Sequence, residues 1–228
     1  DDLLRESVRN RYGSIAASGG SCCGGGSDCC GATPDLMEHA QQLGYSIDDM
    51  ASLPDGADMG LGCGNPHAIA NLKEGEVVLD LGSGGGLDCF LASPRVGPTG
   101  HVIGVDMTPD MLQKARENAR RGGYDNVDFR LGEIEHLPVA DSSVDVILSN
   151  CVVNLSPDKE SVFRECFRVL KPGGRLAISD VVAVKPLPDS LKQDTDTYCG
   201  CVGGAAAISD IERMVRDSGF DEVYIDVK

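Results

Sequence analysis

Two kinds of residue in this sequence are equipped for chemistry: a glycine-dense loop and an excess of cysteine. The run Asp80-Leu81-Gly82-Ser83-Gly84-Gly85-Gly86 follows an apolar stretch and precedes a helix-forming one. Such glycines let the backbone turn tightly and bring its N–H groups against a ligand. A dinucleotide fingerprint carries a further glycine three residues after the second, and that place is Leu87, which disfavours a nicotinamide cofactor. Ten cysteines are many for a chain whose opening residues, Asp1 to Glu6, lack the basic-then-apolar pattern of a signal peptide. A cytoplasmic setting is expected, and there clustered thiols bind soft ions or do redox chemistry.

The elements that must position these groups are legible from periodicity. Strand signals fall at residues 76–81, 101–106, 127–131, 144–149, 175–182 and 222–227. Helices alternate with them. Thr108-Pro109 opens one, Ser156-Pro157 another that runs to Leu170, and Ser209 with Glu212 forms a capping box for the last. This alternation predicts an α/β fold with a doubly wound, mostly parallel sheet. Ahead of it, residues 2–12 read as a short polar helix and residues 19–31 hold six Gly and four Cys. Thr33-Pro34 caps a helix reaching Leu43. Two parts are expected: an N-terminal helical and Gly/Cys-rich segment over 1–72, and a ligand-binding domain over 73–228.

Composition narrows the partners. A net charge of −16 repels a phosphate backbone, so no nucleic acid is expected. No apolar run reaches membrane-span length, so no membrane is expected either. The four histidines (His39, His67, His101, His136) lack metal-ligand spacing and read as structural or solvent-facing.

The pattern D-x-G-x-G-x-G at Asp80–Gly86 resembles the first motif of class I methyltransferases. Asp106 ends the second strand, where an acid accepts ribose hydroxyls. Gly132-Glu133-Ile134-Glu135 follows the third strand, where that family makes adenine contacts, and Lys171-Pro172-Gly173-Gly174 precedes the fifth. The resemblance implies S-adenosylmethionine as methyl donor, held by Asp80, Gly82, Ser83, Gly84, Asp106, Met107, Ile134, Glu135 and Asn150.

The cysteines divide by context. With the strand order of that family, Cys151 leaves strand four beside the glycine loop. Cys199 and Cys201 lie after strand five on the same edge, and Cys63 precedes strand one. The stretches Leu61-Gly62-Cys63-Gly64-Asn65-Pro66, Ser149-Asn150-Cys151-Val152-Val153-Asn154 and Cys201-Val202-Gly203-Gly204-Ala205 resemble the cysteine motifs of arsenite methyltransferases. That resemblance implies Cys63, Cys151 and Cys201 as arsenic(III) ligands, with Cys199 a bystander. Three thiolates suit a soft, three-coordinate pyramidal ion, whereas zinc takes four ligands, commonly with C-x₂-C pairs that these cysteines lack. Cys166 shares a helix face with Val162, Phe163, Phe167 and Leu170 and reads as core, as does Cys89. Cys22, Cys23, Cys29 and Cys30 are open between arsenic capture, relay, a disulfide with a site cysteine, and an oxidation-prone tail.

The expected reaction is methylation of arsenite and methylated trivalent arsenicals. A lone pair on thiol-bound arsenic needs no general base, and lowered thiol pKa values would help binding. By the resemblance a thiol reductant, such as glutathione or a thioredoxin system, restores the reduced state. Two alternatives stand beside it. One is a methyltransferase of an organic small molecule with incidental cysteines; the other is a non-catalytic arsenic-binding protein. The family sheet adds a seventh, antiparallel strand, so a trimmed C-terminus or an unusual edge is expected.

Overall fold

The computed structural model describes residues 2–18 and 36–227. Four short or amphipathic helices come first: α1 (Asp2–Ser18), α2 (Leu36–Gln42), α3 (Ile47–Ala51) and α4 (His67–Ala70). Then follow β1 (Val77–Leu81), α5 (Leu87–Val96), β2 (His101–Asp106), α6 (Pro109–Gly122), β3 (Val127–Leu131), β4 (Val144–Asn150), α7 (Lys159–Val169) and β5 (Leu170–Ser179). Helices α8 (Asp189–Gln193), α9 (Thr195–Cys199) and α10 (Ile208–Asp217) complete the described elements. The strands form one sheet in the order β3-β2-β1-β4-β5, every pairing parallel. β4 therefore lies beside β1, as the sequence reading required.

A parallel sheet is covered on both faces, and the alternation of side chains along each strand decides which cover each residue meets. Leu79, Leu81, Ile103, Val105 and Ile147 face α7 and α10, packing on Val162, Phe163, Cys166 and Met214. Val78, Val102, Val146 and Leu148 face the other way, onto Ala70, Phe90, Leu112 and Ala115 of α4, α5 and α6. Asp80 shares this second face, which is why a carboxylate ends up beneath α5.

Several boundaries differ from the sequence reading. Residues 222–227 form no strand; Tyr224 there is 89% exposed, while Val223 packs partly buried against the core. β5 begins at Leu170, so Lys171-Pro172-Gly173-Gly174 lies inside it, accommodated by a register shift opposite Val144–Val146. The cap of α7 is Asp158, which accepts the Ser161 N–H; residues 153–155 take a 3-10 turn first. Helix α10 starts at Ile208 with Ala207 as cap, so Ser209 and Glu212 form no capping box. Phe167 is 48% exposed against Phe220, while Cys166 is fully buried. Helix α1 runs on to Ser18, six residues past the expected end. The start of α2 at Thr33-Pro34 lies outside the described residues. No described helix is long and apolar enough to cross a membrane.

Candidate active site

The carboxyl ends of β1, β2 and β4 open into a cleft roofed by α1. Gly82 and Ser83 turn the chain off β1, both N–H groups donating to the Val105 carbonyl at 2.8 and 3.0 Å. Gly82 has φ +65°, and a Cβ there would meet Val152 Cγ2 at 2.5 Å, so only glycine fits. Gly84 has φ +50° and a Cβ there would meet nothing within 4 Å, leaving its backbone bare to the cleft. Its N–H donates to Asp106 Oδ2 at 2.9 Å, while the Thr108 N–H donates to Oδ1 at 2.8 Å. Burial raises the Asp106 pKa above the ordinary carboxylate value, opposed by these two N–H donors.

Opposite the loop, Glu135 Oε1 accepts the Ser156 hydroxyl at 2.7 Å and Arg5 Nε at 3.2 Å. Arg9 of the same helix donates to Glu133 at 3.0 Å. α1 is thus held over the cleft by two arginines one turn apart on residues following β3. Val8 and Tyr12 continue the same face into the cavity, and the Tyr12 hydroxyl donates to the Cys199 carbonyl at 3.2 Å.

Beneath the cleft lies a buried polar cluster. Asp80 accepts the Cys89 thiol at 3.3 Å; Tyr45 donates to Asp88 Oδ1 at 2.8 Å, and His67 Nε2 lies 3.3 Å from the same oxygen. Burial and the neighbouring Asp88 push the Asp80 pKa well up, and burial beside Asp80 does the same to Cys89. Asn150, at the end of β4, joins this cluster to the loop before β1. Its Nδ2 donates to Tyr45 Oη, Gly64 O and Asp88 Oδ2, and its Oδ1 accepts the Cys63 N–H at 3.1 Å.

Cys63 is thereby carried to the end of β4, where Cys151 stands. The ligand atoms of Cys63, Cys151 and Asp180 all lie within 4.8 Å of one another. Cys201 packs on Cys151, its Sγ donating to the Cys151 carbonyl at 3.0 Å. Cys151 is the centre of the set: hydrogen bonds to the Cys201 and Cys63 thiols, followed by burial, raise its pKa. The expectation of a lowered thiol pKa does not hold there, because its neighbours are thiols and carboxylates rather than cations. Cys151 and Cys201 both adopt left-handed backbone, with φ +57° and +66°. Asn154 secures the loops, donating from Nδ2 to Asp180 Oδ1 at 2.7 Å and to the Val181 carbonyl at 2.6 Å. Burial raises the Asp180 pKa.

All nine residues expected at the donor line this one cleft: Asp80, Gly82, Ser83, Gly84, Asp106, Met107, Ile134, Glu135 and Asn150. Cys151 lines it too, whereas Cys63 and Cys201 are not among its lining residues and pack in one cluster with Cys151. Cys199, read as a bystander, is buried in the same cluster. Cys89 and Cys166 are fully buried, as expected. Cys22, Cys23, Cys29 and Cys30 lie outside the described residues. Sequence reasoning missed Asp180, Arg5, Tyr12, Ser156 and Asn154. Only Asp180 carried a usable signal, a lone acid directly after an apolar strand.

Residues 72–219 match the family described as a methyltransferase domain. The arsenite methyltransferase of Halobacterium salinarum is 55% identical over 227 residues, 97% of this chain and 58% of its own length. That of Homo sapiens is 39% identical over 168 residues, 70% of this chain and 44% of its own length. The crystal structure of an arsenic(III) S-adenosylmethionine methyltransferase from Chlamydomonas reinhardtii superposes with TM-score 0.64 at 39% identity, covering 82% of this chain and 62% of that one. The chain thus spans less than two thirds of the length of these relatives. The sheet order, the glycine loop and the match across most of the chain agree: this protein belongs to the methyltransferase domain family.

Proposed function

We propose that this chain methylates trivalent arsenic held by Cys63, Cys151 and Cys201, drawing the methyl group from S-adenosylmethionine bound in the adjoining cleft. The observation that carries this reading is the meeting of thiols from three separate loops against the wall of the cleft, at Cys151. The same activity is named for the relatives from Halobacterium salinarum and Chlamydomonas reinhardtii.

The cleft suits the donor by its own chemistry. The Gly84 backbone is bare, the Asp106 carboxylate sits at the end of β2, and the buried Ser83 hydroxyl has no hydrogen-bond partner among the described residues. S-adenosylmethionine supplies an electrophilic sulfonium methyl. Asp106 retains lone pairs for ribose hydroxyls beyond the two N–H groups it accepts. Met107 and Ile134 offer apolar walls for the base.

The thiols suit arsenite because the exchange is neutral. Each step forms one As–S bond, breaks one As–O bond and passes the thiol proton to the departing oxygen as water. No thiolate charge need build up in a chain carrying −16, and a raised Cys151 pKa is compatible with that. The bound arsenic keeps its lone pair, and Cys151 holds it at the cleft wall, so the chain's contribution is placement at near-attack distance. Alkylating the lone pair raises arsenic by two oxidation levels; a dithiol or glutathione supplies the two electrons that return it to the trivalent state. That reductant makes a thioredoxin-type protein a natural partner, in a cytoplasmic setting.

The test is turnover with arsenite, S-adenosylmethionine and thiol, reading methylated arsenic. Wild type should form product and Cys151→Ser should not. Product formation by Cys151→Ser at the wild-type rate would remove that thiol from the ligand set. Donor turnover on organic acceptors alone would favour an organic substrate.

A further inference from the structure

The thiol cluster contains a fourth ligand that arsenic(III) does not need. Arsenic(III) is three-coordinate, and Cys63, Cys151 and Cys201 satisfy it. Yet the carboxylate of Asp180, delivered from the end of β5, has its ligand oxygen within 4.8 Å of both the Cys63 and Cys151 sulfurs. Two thiols and a carboxylate in one place, with the Cys201 thiol packed beside Cys151, make up a mixed sulfur and oxygen set that a tetrahedral d¹⁰ cation takes. Bonds of about 2.3 Å to sulfur put tetrahedral sulfurs roughly 3.8 Å apart, so ligands within 4.8 Å need close by only about an ångström.

We infer that Cys63, Cys151, Cys201 and Asp180 form a binding site for a divalent d¹⁰ cation, with Zn²⁺ as its ordinary occupant, competing with arsenite for the same thiols. This inference stands on the ligand geometry and does not rest on the methylation reading. The absence of C-x₂-C pairs argued against zinc in the linear sequence; the fold replaces those local pairs with loops from β4, β5 and the segment before β1.

Three further features fit. Asp180 is anchored as a ligand should be: Oδ1 accepts Asn154 Nδ2 at 2.7 Å and the Val181 N–H at 2.8 Å, and the Asn154 N–H reaches Oδ2 at 3.3 Å. Such anchoring orients a coordinating carboxylate. Cys201 already touches Cys151, so rotation about its Cα–Cβ bond away from the Cys151 carbonyl brings its sulfur to the ion. The nearby Lys159, whose ammonium donates to the Ser156 carbonyl at 2.9 Å, lies within electrostatic reach of Asp180 and Cys201 and offsets part of the negative charge that three thiolates and a carboxylate carry. On binding, each thiol gives its proton to solvent, and three thiolates with one carboxylate hold the cation.

The experiment uses the full chain with Cys22, Cys23, Cys29 and Cys30 changed to Ser, so that those thiols add no site of their own. Co²⁺ is titrated as a spectroscopic stand-in and then displaced by Zn²⁺. We expect one equivalent of Co²⁺ with thiolate charge-transfer and tetrahedral visible bands, abolished by one equivalent of Zn²⁺. Asp180→Asn should weaken Co²⁺ at least tenfold while arsenite binding stays within about threefold. Cys199→Ser should change neither. Absence of the tetrahedral bands in wild type, or equal Co²⁺ affinity in Asp180→Asn, overturns the inference. If Asp180→Asn lacks the wild-type circular dichroism, the decision passes to Cys63→Ala, where retained Co²⁺ binding overturns it and loss supports it. Wild type that binds Co²⁺ but not arsenite would support the cation site and overturn the methylation proposal alone.

Discussion

The backbone N–H of Cys63 donates to the side-chain oxygen of Asn150 at 3.1 Å, across 87 positions of sequence. This bond brings a loop that precedes the sheet to the carboxyl end of β4. The other end of the amide donates to Tyr45, Gly64 and Asp88. One side chain therefore fixes both a thiol and the polar floor of the cleft.

Asn150→Ala should release the Cys63 loop. We expect a stability loss of about 1–3 kcal/mol, the scale for stranding buried polar partners. Arsenite affinity should fall roughly tenfold, about 1.4 kcal/mol. Chemical denaturation followed by circular dichroism checks the first, and arsenite titration the second. Unchanged arsenite affinity would mean that Cys63 finds its place without the amide.

Arg5→Ala tests the roof. Its guanidinium meets Glu135, whose side chain is only 5% exposed, so truncation leaves that carboxylate with Ser156 alone. The KM for S-adenosylmethionine should rise roughly tenfold with kcat little changed, the pattern of lost binding that is common to ground and transition states. Steady-state kinetics at saturating arsenite reads this directly. A fall in kcat with constant KM would instead tie α1 to the transfer step.

Gly82→Ala strains the donor loop twice, through a φ of +65° and a contact with Val152. Neither can relax cheaply, because the Gly82 N–H is bound to the Val105 carbonyl. We expect a loss of about 1–3 kcal/mol and donor binding below detection by calorimetry. Arsenite binding should survive in the folded fraction, since Val152 contacts the loop but is not a ligand.

Stability should peak on the acid side of neutrality. Asp80, Asp106 and Asp180 have pKa values raised by burial above the usual 3.8. A raised pKa means the folded state takes up protons first, so stability from these groups is gained as pH falls through their folded values and is complete below 3.8. Glu76, bonded by Arg175, and Glu165, bonded by Arg168, have lowered pKa values. Their contribution is present above 4.5 and is lost as pH falls through the folded values. Denaturation midpoints measured from pH 8 to 3 should therefore rise and then drop. A monotonic fall from pH 8 would show that the buried acids are not protonated late in that range.

Strand periodicity made the sheet legible because a parallel strand buried on both faces reads as a near-continuous apolar run, as in Val77 to Leu81, interrupted only by Asp80. The same rule misread residues 222–227, whose alternating Val223 and Ile225 have the pattern of a strand but no partner among the described strands. The glycine loop was legible because glycine at 82 and 84 has a backbone cause. Asp180 was marked only as a lone acid after an apolar strand, and its importance comes from β5 lying beside β4, a tertiary fact. Helix α1 was read as merely polar: its arginines look solvent-facing until Glu133 and Glu135 are brought under them.

Cys151 and Cys201 occupy backbone that a chain shaped only for endurance would give to glycine. Any screen that rewards heat resistance is thus pulled toward glycine at both positions, easing the main chain while erasing the thiols. Thermostable variants of this protein should be checked there first, because the substitutions most attractive to such a screen remove the thiols that the proposed reaction needs.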